Sequence, residues 1–281
     1  NTAGHRVLAS ETTVLELWAI DDAAKRSREV ENLLTLASGL FDLPHPYRQA
    51  EEFVGELQRL RPEWMASGSN AAELAEQRNF WRVGWDALKA DPTVRPLDFS
   101  DQRPFMESVI RTANLTQKGY REKMSSVADG TLDLQPVDAE FDTVAQGLTK
   151  LDRYWRFQSA RYWEDAIKNG NQGLLELARF ASPRVSPHLP WGREFMLFWL
   201  RDVSTSAVPY HRVAALTQLY QQEHRVTHGN PNDINHALRV LDVEALVTAD
   251  RAFAAILQSV SEQVPEAAPV VFVERSASDA L

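Results

Sequence analysis

The sequence predicts a mainly helical α/β protein: a small parallel sheet built from both termini, with a large all-α insertion between them. Three observations predict it. Helical periodicity of apolar residues dominates the chain. Short apolar runs of strand type occur only near the ends, at 5–9, 245–248 and 270–273. The C-terminal end alternates helix, strand, helix and strand with tight links, which requires the strands to run parallel. Two or three isolated strands do not make a stable sheet alone, so strand 5–9 is expected to lie in one sheet with strand 245–248.

Ser10 suits an N-cap after the first strand, and Glu11 to Ile20 reads as a helix. A second helix is expected over about 22–38, stopped by Gly39 as a C-cap. Pro44 and Pro46 break the chain before an amphipathic helix, Tyr47 to Leu60, whose Ala50, Phe53, Val54, Leu57 and Leu60 share one face. Asn70 to Ala90 is a helix with Leu74, Trp81, Trp85 and Leu88 inward. Pro92, Pro96 and Pro104 bracket a loop, and Phe105 to Ala128 is another helix. Val137 to Lys168 reads as one long helix or two broken near Gly147, ended by Asn169-Gly170-Asn171. Gln172 to Ala181, Gly192 to Val203 and Pro209 to Arg225 complete the helical part, with a proline-rich loop at 182–190. Trp155, Trp163 and Trp199 join Trp81 and Trp85 as core residues, because aromatic area dominates core energetics. Asn232 to Leu241 and Asp250 to Gln263 are the C-terminal helices. The resulting division is 1–60, the helical insertion 65–225, and 226–281.

A chain of 281 residues without cysteine has no disulfide, thiolate metal site or cysteine nucleophile. That suits a reducing compartment, and a cytoplasmic location is expected. No apolar run approaches the roughly 20 residues of a membrane helix, and no apolar stretch of signal-peptide type follows the first basic residues. The net charge of −9 excludes a non-specific nucleic-acid coat protein. Any nucleic-acid contact must be local, or brief and catalytic.

Functional groups of parallel α/β sheets collect at the carboxyl ends of strands. Glu16 lies on the helix after strand 5–9, Asp250 just past strand 245–248, and Asp233 in the first turn of the helix preceding that strand. Three carboxylates converging there would repel one another without a cation among them. Hard oxygen donors select Mg²⁺ or Mn²⁺. Taken singly, each acid has a plainer role: Glu16 as a solvated helix residue, Asp233 at a helix dipole, Asp250 at a helix start. His224, His228 and His236 suggest zinc, but no Glu follows His224, and His228 stands at a helix terminus. Trp155 and Trp163 lie among Lys150, Arg153, Arg156, Arg161 and Lys168, where acids at 152, 164 and 165 favour a salt-bridged face over an RNA-stacking one.

These residues carry a family resemblance. Ser10 to Leu17 resembles the PIN-domain segment in which a strand leads into a helix bearing an acidic ligand. Asn232-Asp233-Ile234-Asn235-His236-Ala237-Leu238 is similar to the helix start that supplies another acid, and Leu246 to Phe253 to the strand-Thr-x-Asp-x-x-Phe signature. Val270 to Val273 fits the closing strand. The match covers about the first 40 and the last 50 residues. The family's first strand, ending in Asp, has no counterpart upstream of Glu16: either the chain starts after it or the domain lacks that ligand. The resemblance implies a metal-dependent endoribonuclease in which Glu16, Asp233 and Asp250 hold Mg²⁺ or Mn²⁺. Thr248 and Asn232 would orient ligands or phosphate. It also implies RNA as substrate and, as in toxin–antitoxin pairs, an inhibitory partner protein. The alternatives are an inactive PIN-like scaffold and a helical protein-interaction module.

Overall fold

The computed structural model describes residues 6–94, 143, 144, 146–221 and 230–274. They are mostly helical, with two small parallel sheets of two strands each. The expected helix 105–128, the loop around Pro96 and Pro104, and His224 and His228 lie outside the described residues.

Strand β1 (Leu8–Ala9) runs into helix α1 (Glu11–Trp18) through Ser10, whose hydroxyl accepts the Thr13 amide at 3.0 Å. Helix α2 (Ala23–Leu36) is capped by Asp22 and ends when Ala37 turns extended. Strand β2 (Gly39–Leu40) then pairs parallel with β1, Leu8 opposite Gly39. Gly39 is therefore a strand residue and not the expected C-cap. The Ser38 amide donates to the Val7 carbonyl at 2.9 Å, and the ladder captures the chain before a left-handed cap can form.

Helix α3 (His45–Leu60) buries Ala50, Phe53, Val54 and Leu57 completely. Helix α4 (Ala71–Ala90) turns Trp85 and Leu88 onto Trp18 and Val30, and Trp18 also stacks on the partly buried Trp81 at 6.1 Å. Gly84 permits that approach, since a Cβ there would stand 3.2 Å from the Trp18 ring. Helix α5 (Lys150–Trp163), capped by Thr149, continues as a π turn at 164–168 and stops at Gly170, which adopts φ 62°. Helices α6 (Leu175–Ala181) and α7 (Arg193–Leu197) follow, the latter running into a second π turn at 198–202. Helix α8 (Pro209–Gln221), helix α9 (Asn230–Leu238), strand β3 (Leu246–Thr248), helix α10 (Arg251–Gln263) and strand β4 (Val270–Phe272) complete the chain.

The expected pairing of the two ends into one sheet does not occur. Residues 246–248 pair in register with 270–272, and β1 pairs only with β2. In each case the partner is the strand delivered by the intervening crossover helices, α1–α2 or α10. The ends meet through helices instead, α1 against α9.

Among the described residues three large apolar cores result, with a small fourth cluster around Leu197 and Leu200. Phe53 stacks between Trp163 at 4.2 Å and Trp199 at 6.0 Å in the largest, which joins α3 to α5, α6 and α7. A second packs α8 against α9 and α10 through Val213, Leu216, Leu238, Phe253 and Leu257. The third lies under α1, α2 and α4. Segment 65–225 thus shares a core with each terminal part. Trp155, Trp163 and Trp199 are fully buried, as the pattern requires.

A buried ionic network ties the cores together. Arg239 donates one nitrogen to both oxygens of Glu11 and the other to Asp242 at 2.9 Å and to the Leu43 carbonyl at 3.0 Å. Its guanidinium lies 4.4 Å from the centre of the Phe41 ring. Asp242 also accepts from the Tyr210 hydroxyl, and Glu11 meets His45 at 3.3 Å. Burial alone would raise the Glu11 pKa, but His45 and Arg239 hold it down at about 2. Arg239→Met is expected to destabilise the protein by about 3–5 kcal/mol in urea unfolding at neutral pH, because Glu11 is left buried without its counter-charge. Adding Glu11→Leu should recover most of that loss; a double variant as unstable as the single one would show that the cost lies in packing.

Candidate functional site

The three acids named from the sequence reach one neighbourhood from three elements. Glu16 projects from α1, Asp233 from the first turn of α9, and Asp250 caps α10. Their charges act on one another: the Asp233 carboxyl is pushed up to about 6, first by burial, then by Asp250 and more weakly by Glu16. Two contacts oppose the rise. The Gln221 side-chain amide donates to Asp233 Oδ2 at 3.2 Å, and the His236 charge acts in the same direction.

Each acid has a local partner. His236 Nε2 lies 3.2 Å from Glu16 Oε2, joining residues 220 apart in sequence. Asp250 Oδ1 accepts the Phe253 amide at 3.0 Å, the helix-start role that its position predicts. The Asp250 amide in turn donates to Thr248 Oγ1 at 3.1 Å, so Thr248 fixes the turn between β3 and α10. The Asn232 backbone belongs to α9, and its side chain lies outside the described residues.

Among the described residues no three His, Asp or Glu side chains gather into a group that could hold a metal ion. Glu16 and Asp233 are half-buried, and Asp250 is exposed.

Sequence reasoning missed two members of this neighbourhood. Gln221 ends α8, a helix outside the family resemblance, and no spacing rule points to it. His236 enters the sequence reading for zinc and within the segment similar to the PIN helix start; its position three residues after Asp233 puts it on the same face of α9 as that acid, a signal that could have placed it here. The cavity of about 380 Å³ lined by Gln58, Pro62, Met65, Ala66, Gly68 and Arg184 shares no residue with the acids. No helix among the described residues is long and apolar enough to cross a membrane. No known family model, curated protein or solved structure matches the chain.

The raised Asp233 carboxyl has a signed consequence for stability. Its folded value of about 6 lies above the unstructured value of 3.8, so the native state binds the proton more tightly. The stabilisation is fully present below about pH 4 and is lost as pH rises through about 6. Asp233→Asn should therefore stabilise the metal-free protein at about pH 7 by roughly 1–2 kcal/mol, allowing for partial exposure. The gain should vanish below about pH 4, as read from melting temperature against pH; a gain independent of pH would remove the repulsion argument.

Proposed function

We propose that this chain is a PIN-like, metal-dependent ribonuclease whose Glu16, Asp233 and Asp250 hold Mg²⁺ or Mn²⁺ against an RNA phosphodiester. The observation that carries the reading is that acids from α1 and the start of α10 act electrostatically on the carboxyl that α9 presents. Such repulsion costs stability unless a cation offsets it.

A bound divalent ion would activate a water and stabilise the leaving oxygen. The chain's own residues would do the holding. Asp250 is fixed by the Phe253 amide and by Thr248, so its carboxylate is aimed by the turn after β3. His236 restrains Glu16 at the rim. Residues of the partly exposed site meet an extended phosphate chain more readily than an enclosed small molecule. The net charge of −9 suits brief contact with RNA and control by a separate inhibitory protein, as for a toxin.

A second reading, a PIN-like scaffold without catalysis, draws on the local partners that each acid already has. Mn²⁺ separates the two. On the ribonuclease reading, Mn²⁺ at about a hundred times its Kd raises the melting temperature by roughly 5 °C. Asp250→Asn, which keeps the helix cap, abolishes the shift and the Mn²⁺-dependent cleavage of single-stranded RNA. A wild-type protein with neither shift nor cleavage leaves the scaffold.

A further inference from the structure

Asn169 is the one asparagine of the chain that a glycine follows. It stands directly after the π turn at 164–168, and both it and Gly170 are exposed. The backbone nitrogen after an asparagine can attack that side chain, and a Cβ on the following residue hinders the approach; glycine has none. The space around Gly170 is open, since a Cβ built there meets nothing within 4 Å. Its amide donates no backbone hydrogen bond among the described residues, whereas the Asn169 and Asn171 amides donate to the Glu164 and Asp165 carbonyls, each at 3.0 Å. The nucleophile of an attack on Asn169 is therefore exposed and unengaged, between two amides that are engaged.

We propose that Asn169 is a site of spontaneous deamidation, with water as co-reactant and aspartate or isoaspartate as product. The Gly170 amide gives its proton to hydroxide, and its nitrogen bonds to Asn169 Cγ. The Cγ–Nδ2 bond breaks, the side-chain nitrogen leaves as ammonia, and a cyclic imide remains. Water then opens the imide. Attack at the side-chain carbonyl leaves aspartate; attack at the main-chain carbonyl reroutes the backbone through the side chain as isoaspartate. Nothing is oxidised or reduced.

The restraints on this step both end on Asp165. Asn169 has helical backbone angles, φ −89° and ψ −10°, and ring closure needs a large rotation of ψ. Asn169 Nδ2 opposes it by donating to Asp165 Oδ1 at 2.8 Å, and the Asn171 amide opposes it through the Asp165 carbonyl. Gly170, at φ 62°, takes either sign of φ at little cost and so lets the turn rearrange once these bonds open. The product changes the turn. A carboxylate at 169 replaces the donor that Asp165 accepts from, so a hydrogen bond becomes a contact of two anions. It also adds negative charge at the C-terminal end of a helical run, where the macrodipole disfavours it. The π turn packs on α6, so the modification loosens the joint between α5 and α6.

The test incubates the full chain in mildly alkaline and in acidic buffer, then weighs its peptides by mass spectrometry and counts isoaspartate by enzymatic carboxyl methylation. The peptide bearing Asn169 should gain the mass difference between an amine and a hydroxyl, faster in alkaline buffer because the attacking nitrogen must lose its proton. Asp165→Ala frees the side chain and should speed conversion roughly fivefold, the rate equivalent of one hydrogen bond. Asn169→Asp, the aspartate product made genetically, should melt below the wild type at neutral pH, and adding Asp165→Asn should remove that loss. An Asn169 that stays intact under conditions that convert a short unfolded peptide of the same sequence overturns the proposal. A rate that Asp165→Ala leaves unchanged overturns the role of Asp165 as the restraint, and an Asn169→Asp chain that melts like the wild type overturns the consequence for the turn.

Discussion

The guanidinium of Arg239 is the constraint on which the rest of the structure depends. It sits in the short turn after α9, 4% exposed, and reaches Glu11 on α1, the Leu43 carbonyl before α3, and Asp242. Asp242 extends the network to Tyr210 on α8 and to Arg48 on α3 at 3.6 Å. Four helices that share no sheet are thereby fixed relative to one another by charge-assisted bonds in a dry setting. Such pairs contribute little net stability compared with apolar packing, but they tolerate few alternative arrangements. The network therefore sets the relation between the N-terminal and C-terminal parts that two separate strand pairs cannot set.

The apolar cores do the bulk of the stabilising. Phe53, Trp163 and Trp199 form the centre of the largest, and of its two indole nitrogens that of Trp163 is paired while that of Trp199 is buried without a hydrogen-bond partner. Trp163 Nε1 donates to His211 Nε2 at 2.8 Å, which obliges Nδ1 to carry the proton that it shares with Glu52 at 2.7 Å. The π turn at 198–202 leaves carbonyls that an α-helix would satisfy, and the buried Arg156 accepts that task by donating to Trp199 and Val203 at 2.7 Å. These arrangements fix α8 from one side. From its other side α8 packs on α9 and α10, so a rigid helical core stands directly behind the acids.

Two carboxylates in this chain show how environment assigns roles to one chemical group. Glu11 is buried and Asp233 half-buried, and in both the first effect of burial is to disfavour the charge. Cationic neighbours reverse that effect at Glu11 and make it part of the framework. Anionic neighbours reinforce it at Asp233 and leave an acid that titrates near neutrality. The difference comes from which helices bring which charges together.

The sequence by itself determined most of the helices among the described residues and the strand runs near both ends. Ser10, Thr149 and Asp250 are short polar residues at helix starts, and the face of α3 repeats at the helical period; both are local properties, legible without tertiary knowledge. Strand pairing, the fate of Gly39 and the membership of Gln221 in the acidic neighbourhood were not legible. Each depends on which distant segment arrives first or lies closest, and one short apolar run pairs equally well with another of matching length. Tertiary structure alone decided that crossover helices close each strand pair locally, and that Arg239 joins the ends. It also decided that an uncharged amide from α8 faces Asp233, because burial and charge are properties of a neighbourhood that the order of residues does not specify.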